Sequence, residues 1–190
     1  MIQETIVTTQ NNEGVAHIAP MGVHIVEDEL LIMPFKPSAT LNNLLESRHA
    51  VINYTDDVRV FAGCLTGRKN WPLMPTHKID GYYLNNALSH CEIELVHIEK
   101  DQQRPRLFCK KIHTVIHAPF QGFNRAQFAV LEAAILVSRL HMLPWEKIDT
   151  ELEYLRIGLE KTAGERELEA WNWLMENIET FKNNQTPEKL

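Results

Sequence analysis

The residues best placed to do chemistry lie in one short stretch, Pro34-Phe35-Lys36-Pro37-Ser38-Ala39-Thr40-Leu41-Asn42-Asn43-Leu44. An apolar run, Leu30-Leu31-Ile32-Met33, leads into it, and an amphipathic pattern at Leu41, Leu44 and Leu45 leads out. This order predicts a strand that stops where a helix over Ser38–Ser47 begins, with Ser38 as its N-cap. The first turn of a helix carries backbone N–H groups without intrahelical acceptors, and the positive end of the helix dipole lies behind them. Lys36, Ser38, Thr40 and Asn43 add a charge, two hydroxyls and an amide to the same corner. Such a corner suits an anion, and a phosphate above all. A plainer reading needs only a cap: Ser38 closes the helix and Lys36 stands in solvent.

A second candidate is Met21-Gly22-Val23, in a run that Pro20 and Gly22 interrupt. Proline in a strand marks an edge or a bulge, and glycine allows another group to approach the backbone closely. Either a flat ligand lies along this backbone or the strand simply bulges there. The familiar catalytic signatures are absent: there is no G-x-S-x-G, no Walker A, no dinucleotide G-x-G-x-x-G and no H-E-x-x-H. The histidines are scattered. His113 and His117 are four apart in a strand-like pattern, and no metal site is expected. Cys64, Cys91 and Cys109 form no C-x-x-C, and Cys109 reads as a buried free thiol.

These residues need a frame. Gln3–Thr9 alternates as a strand, Asn11-Asn12-Glu13-Gly14 is turn chemistry, and Val15–Ala19 returns as its hairpin partner. Ala50–Tyr54 is a further strand, closed by Thr55-Asp56-Asp57, which caps a short helix through Val58, Phe61, Ala62 and Leu65. Periodicity is lost from Gly67 to Asp80, where two prolines and Trp71 predict a long loop. Cys91–Glu99 and Arg106–His117 are strands about the turn at Asp101–Pro105. The pattern to residue 118 fits a barrel or sandwich better than alternating βαβ units.

After Pro119 the pattern becomes helical. Arg125–His141 is apolar nearly all round, with Arg125, Glu132 and Arg139 as its one polar stripe, so it needs cover on several sides. A homodimer is one source of that cover. Ile148, Leu152, Leu155 and Leu159 stripe a second helix, and Leu168, Trp171, Leu174, Ile178 and Phe181 a third, while Lys182–Leu190 is polar and expected to fray. The reading is α+β, mainly β: a barrel over 1–118 and a three-helix unit over 119–190.

The 190 residues are 44% hydrophobic and 23% charged, with a net charge of −6 and no like-charge block. That argues against general nucleic-acid binding or attachment to anionic membranes. Met1–Thr5 has no signal-peptide character, and the longest apolar stretch, 128–140, is too short to span a bilayer. A cytoplasmic protein is expected.

Several blocks together are similar to a known family. They are Ala19-Pro20-Met21-Gly22-Val23, Pro34–Thr40 with Asn43-Leu44, Asn53–Val58 with Phe61-Ala62, and Gly122–Ala126 leading into Glu132–Leu136. The chain resembles the small FMN-binding split-barrel flavoproteins of methanogenic archaea and of bacteria that oxidise one-carbon compounds. The resemblance spans nearly the whole chain and is weakest over Gly67–Tyr83. It implies a split β-barrel that dimerises, with FMN at the dimer interface, and a link to tetrahydromethanopterin-dependent metabolism. On that basis the phosphate falls to Lys36, Ser38, Thr40 and Asn43. The ring lies along Met21, Gly22 and Val23, with Asn53 and Asp57 near the neighbouring strand end. Two functions stay open: an FMN-dependent oxidoreductase acting on a small-molecule redox substrate, of flavin or pterin reductase type, and a flavin carrier or sensor without turnover.

Overall fold

The computed structural model describes residues 1–185. It divides into two compact units, Met1–Asp56 with Asn70–Phe120, and Asp57–Lys69 with Gln121–Leu190. The first unit contains β1 (Ile2–Gln10), β2 (Ala16–Val26), β3 (Glu29–Ile32), α1 (Ala39–Ser47), β4 (His49–Tyr54), β5 (Leu73–Pro75), β6 (Tyr82–Leu84), β7 (Ser89–Glu99) and β8 (Arg106–Ile116).

Six of these strands close an antiparallel barrel in the order β1-β2-β3-β8-β7-β4. Period-two patterning turns one face of each strand inward. Val7, Val23, Leu30, Ile32, Ile52, Ile93, Leu95, Leu107 and Cys109 fill the interior, together with Leu41 and Leu44 of α1. Asn11 makes the first hairpin by accepting the N–H groups of Glu13 and Val15 on Oδ1.

Of the edge or bulge expected at Pro20 and Gly22, the structure has the edge. The β1–β2 register runs unbroken from Ile2 opposite His24 to Gln10 opposite Ala16. Pro20 is tolerated because β3 pairs with β2 only from Val23 onward, so Ala19–Gly22 has a strand neighbour on one side alone. The irregularities lie instead between β7 and β8, at Glu92/Ile93 and Leu95/His97. The long Gly67–Asp80 loop is also less bare than expected, since it contains β5, which pairs with β6 just beyond it as a short hairpin.

The second unit contains α2 (Val58–Leu65), α3 (Arg125–Ser138), α4 (Trp145–Thr162) and α5 (Glu165–Gln185). It has four helices where three were expected, because α2 buries Val58 and Ala62 in the same core as Ala126, Val130, Ile148, Trp171 and Leu174. Arg59 strengthens the join by pairing with Glu169 of α5 at 3.2 Å. α3 obtains most of its cover from α2, α4 and α5 of its own chain, and Phe128 is left exposed. The charges of α3 form no buried paired stripe: Arg125 and Arg139 are exposed and Glu132 is half-buried. The expected frayed tail is helical as far as Gln185, and residues 186–190 lie outside the described part. Among the described residues no helix is long and apolar enough to cross a membrane.

Candidate functional site

Ser38 caps α1 as its sequence predicts, with extended backbone and Oγ accepting the N–H of Leu41 at 3.3 Å. The N–H of Asn42 goes to the Ser38 carbonyl. Among the described residues no acceptor meets the N–H of Ala39 or Thr40. The side chain of Thr40 is the more informative. It is 1% exposed, and its Oγ1 is the one buried side-chain oxygen or nitrogen among the described residues without a hydrogen-bond partner. Buried polar atoms are nearly always satisfied, so this orphan beside two open amides is a corner where an acceptor would find donors. The donors suit a phosphate.

Other predicted residues brace this corner. The Lys36 ammonium donates to the carbonyl of Asp101 at 2.8 Å, and its N–H goes to Gln103. Arg104 of the same turn donates to the Met33 carbonyl and stacks on Phe35 at 4.3 Å. The β7–β8 turn thus clamps the segment that enters α1. Asn43 is buried and spends its amide N–H on Thr9 Oγ1 at 3.0 Å, tying α1 to β1.

Asn53 is fully buried. Its amide donates to the Ile6 carbonyl and to Thr8 Oγ1, and its Oδ1 accepts the N–H of Leu84. It stitches β1, β4 and β6 together. Asp57 belongs to the other unit, where it caps α2 and grips Arg59 through two bonds of 2.9 and 2.7 Å. Burial pushes its carboxyl up, but the guanidinium overrides this and holds it below the ordinary carboxylate range. In both residues protein groups already bond the polar side-chain atoms. On β2, the Met21 carbonyl accepts from Thr5 Oγ1 at 3.1 Å, Gly22 sits opposite Glu4, and the Val23 side chain lies in the barrel core.

A second polar cluster escaped the sequence reading. Glu92 of β7 is fully buried. Its Oε1 accepts the N–H of His77 at 2.7 Å, and its Oε2 accepts those of Lys78 and Ile79 at 2.8 and 3.0 Å. Burial raises the carboxyl, and these amides outweigh it and keep it below its ordinary value. His90 places Nε2 3.4 Å from Glu92 Oε1 and Nδ1 2.8 Å from Nε2 of His117. Tyr83 stacks on His90 and His117 at 4.1 and 4.9 Å. Across the ladder from Glu92 stands His113. Imidazoles 36 residues apart in sequence gave no motif, because the hairpin turn and the strand pairing alone bring His77 and His113 together.

Comparison with known proteins agrees with this architecture. Residues 3–118 match the family described as protein of unknown function (DUF447) N-terminal domain, and residues 124–176 match protein of unknown function (DUF447). A crystal structure of an FMN-bound protein of that family from Methanosarcina mazei superposes with a TM-score of 0.81 at 20% identity, over 93% of this chain and 94% of that one. The 2-nitrobenzoate 2-nitroreductase of Pseudomonas fluorescens gives a TM-score of 0.53 at 23% identity, over 60% of this chain and 64% of its own. An FMN-binding protein from Thermus thermophilus with bound 1-cyclohex-2-enone gives 0.51 at 12%, over 60% and 69%. The fold is the α+β split barrel of these proteins, with its helices added.

Proposed function

We propose that this chain, which belongs to the DUF447 family, binds FMN with the phosphate at the N-terminus of α1 and works as an oxidoreductase. The observation that carries the reading is the buried, partnerless hydroxyl of Thr40. The cofactor is suggested by the FMN bound to the family member from Methanosarcina mazei. In this reading the N–H groups of Ala39 and Thr40 and the hydroxyls of Ser38 and Thr40 donate to the phosphate, with the α1 dipole behind them. Ser38 can do so while its oxygen still accepts from Leu41. Lys36 braces the entrance and adds positive potential. The backbone of Met21-Gly22 supplies a rail on the side of β2 away from β1, and Asn53 holds the barrel wall rigid.

Bound FMN would bring its own electron and hydride chemistry, which the protein positions and tunes. The nitroreductase among the similar structures supports an oxidoreductase over a passive carrier. A small redox metabolite, a flavin or a pterin of one-carbon metabolism, is the proposed substrate. The proposed assembly is a homodimer with FMN at the interface, and a scattering mass near the 22.0 kDa of one chain would count against it. The cytoplasm is the proposed setting, in keeping with a chain whose cysteines show no C-x-x-C spacing.

The test is a pair of titrations by flavin fluorescence quenching. Charge-assisted hydrogen bonds contribute roughly 1.5–3 kcal/mol each. Losing two with the phosphate costs about a hundredfold or more, so FMN should bind at least that much tighter than riboflavin. Lys36→Ala should weaken FMN binding and leave riboflavin affinity almost unchanged. Equal affinities of the wild type for the two flavins would sink the phosphate site. Bleaching of the loaded protein by a reduced nicotinamide, reversed by an acceptor, supports the enzyme, and a flavin that no donor reduces supports the carrier.

A further inference from the structure

We propose that His77, Glu92 and His113 form a binding site for a divalent transition-metal ion of the zinc type. One ligand atom from each lies within 4.8 Å of the others, and His77 Nδ1 is 3.6 Å from Glu92 Oε1. Metal–ligand bonds of about 2.0–2.2 Å at tetrahedral angles put ligand atoms roughly 3.3–3.6 Å apart. The His77–Glu92 spacing is already of that size. Closing the rest needs a shift of about an ångström, and His77 and His113, exposed and half-buried, have room for it.

The fold builds this convergence from both sides. Glu92 and His113 are cross-strand partners of β7 and β8, so their side chains share a face. His77 comes from the turn between β5 and β6, whose three successive N–H groups all close on the Glu92 carboxylate. The carboxylate therefore fixes the turn that delivers a second ligand beside it.

Lone-pair accounting leaves a coordination position open. A carboxylate offers about four acceptor sites. Oε2 uses two on Lys78 and Ile79, and Oε1 uses one on His77. The remaining site on Oε1 meets only the long 3.4 Å approach of His90. Charge points the same way. The only ion-pair partners of this fully buried carboxylate among the described residues are histidines, His77 and His90, with no Lys or Arg against it. Buried charges are normally paired or coordinate a metal. Anchoring the turn explains the backbone bonds, but it requires no imidazole at 77 or at 113. His77 stacks on Tyr83 and His90, whereas its ring and that of His113 are tilted 58° to each other with centroids 5.7 Å apart. Two imidazoles and one carboxylate suit zinc and its first-row neighbours over magnesium or calcium, and three protein ligands leave a fourth position for water.

The proposal is independent of the flavin reading and is tested on the full-length, tag-free protein after dialysis against a chelator. Calorimetric titration with Zn²⁺ should give one site per chain, and Co²⁺ should give visible ligand-field bands to the red of flavin absorption. His77→Ala and His113→Ala should each weaken Zn²⁺ by about tenfold or more, while the exposed His141→Ala should leave it unchanged. Thermal unfolding verifies that the variants are folded; if His113→Ala is not, the His77→Ala result decides. Glu92→Gln is avoided because Glu92 also holds the turn. No one-to-one uptake, or uptake equal to wild type in the folded histidine variants, would overturn the site.

Discussion

A buried hydroxyl with nothing to bond costs about 1–3 kcal/mol. Thr40 is such a residue, so its replacement has two effects of opposite sign. Thr40→Val keeps the shape and removes the orphan. Without flavin the variant should be as stable as wild type or more so, by up to about 1 kcal/mol in thermal unfolding. Its FMN affinity should fall roughly tenfold, and Thr40→Ser should retain most of it. A destabilised flavin-free Thr40→Val would show that the hydroxyl already had a use inside the protein. At this scale the cap was legible: the Ser38 hydroxyl reaches an amide three residues on, so spacing alone carried it. Asn53 was not. Its partners Ile6, Thr8 and Leu84 are remote in sequence, and an asparagine that ties three strands looks the same on paper as one that faces a ligand.

The short helix α2 depends on Asp57, which caps it and holds Arg59. The carboxyl is held below its ordinary value of 3.8, first against burial and then by Arg59. A depressed folded value means that the ionised form stabilises the native state. That contribution is complete above the unfolded value and is lost as pH falls below about 4 and through the folded value. Asp57→Asn should therefore lower stability by about 1–3 kcal/mol near neutral pH. The gap between variant and wild type should close progressively below pH 4 in acid unfolding followed by circular dichroism. A gap constant down to pH 2 would leave the ion pair without a part in stability. The barrel strands and all five helices could be read from their periodicity and caps. β5 and β6 could not, because three-residue strands carrying Pro75 have no period to detect and form only because they pair with each other.

The change of character after Pro119 was plain in composition, but the helical unit draws part of its core from residues 57–69. The buried part of the link is two side chains, Val58 and Ala62, with Leu65 packed beside them, too few to alter the pattern of the segment that carries them. A fragment of residues 121–190 would leave the faces of α3 and α5 that meet α2 open to water. Expressed alone, it should lack a cooperative thermal transition, and supplying residues 57–69 by fusion should restore one. A sharp transition in the bare fragment would contradict the role given to α2. The single-sided stretch of β2 bears on behaviour in a crowded solution. Exposed strand edges invite other chains to add themselves in register, the route to aggregates. Here the stretch Ala19–Gly22 carries Pro20, which has no N–H to offer an incoming strand. The molecule can leave one flank of its barrel without a strand neighbour while denying polypeptide a template for runaway self-addition.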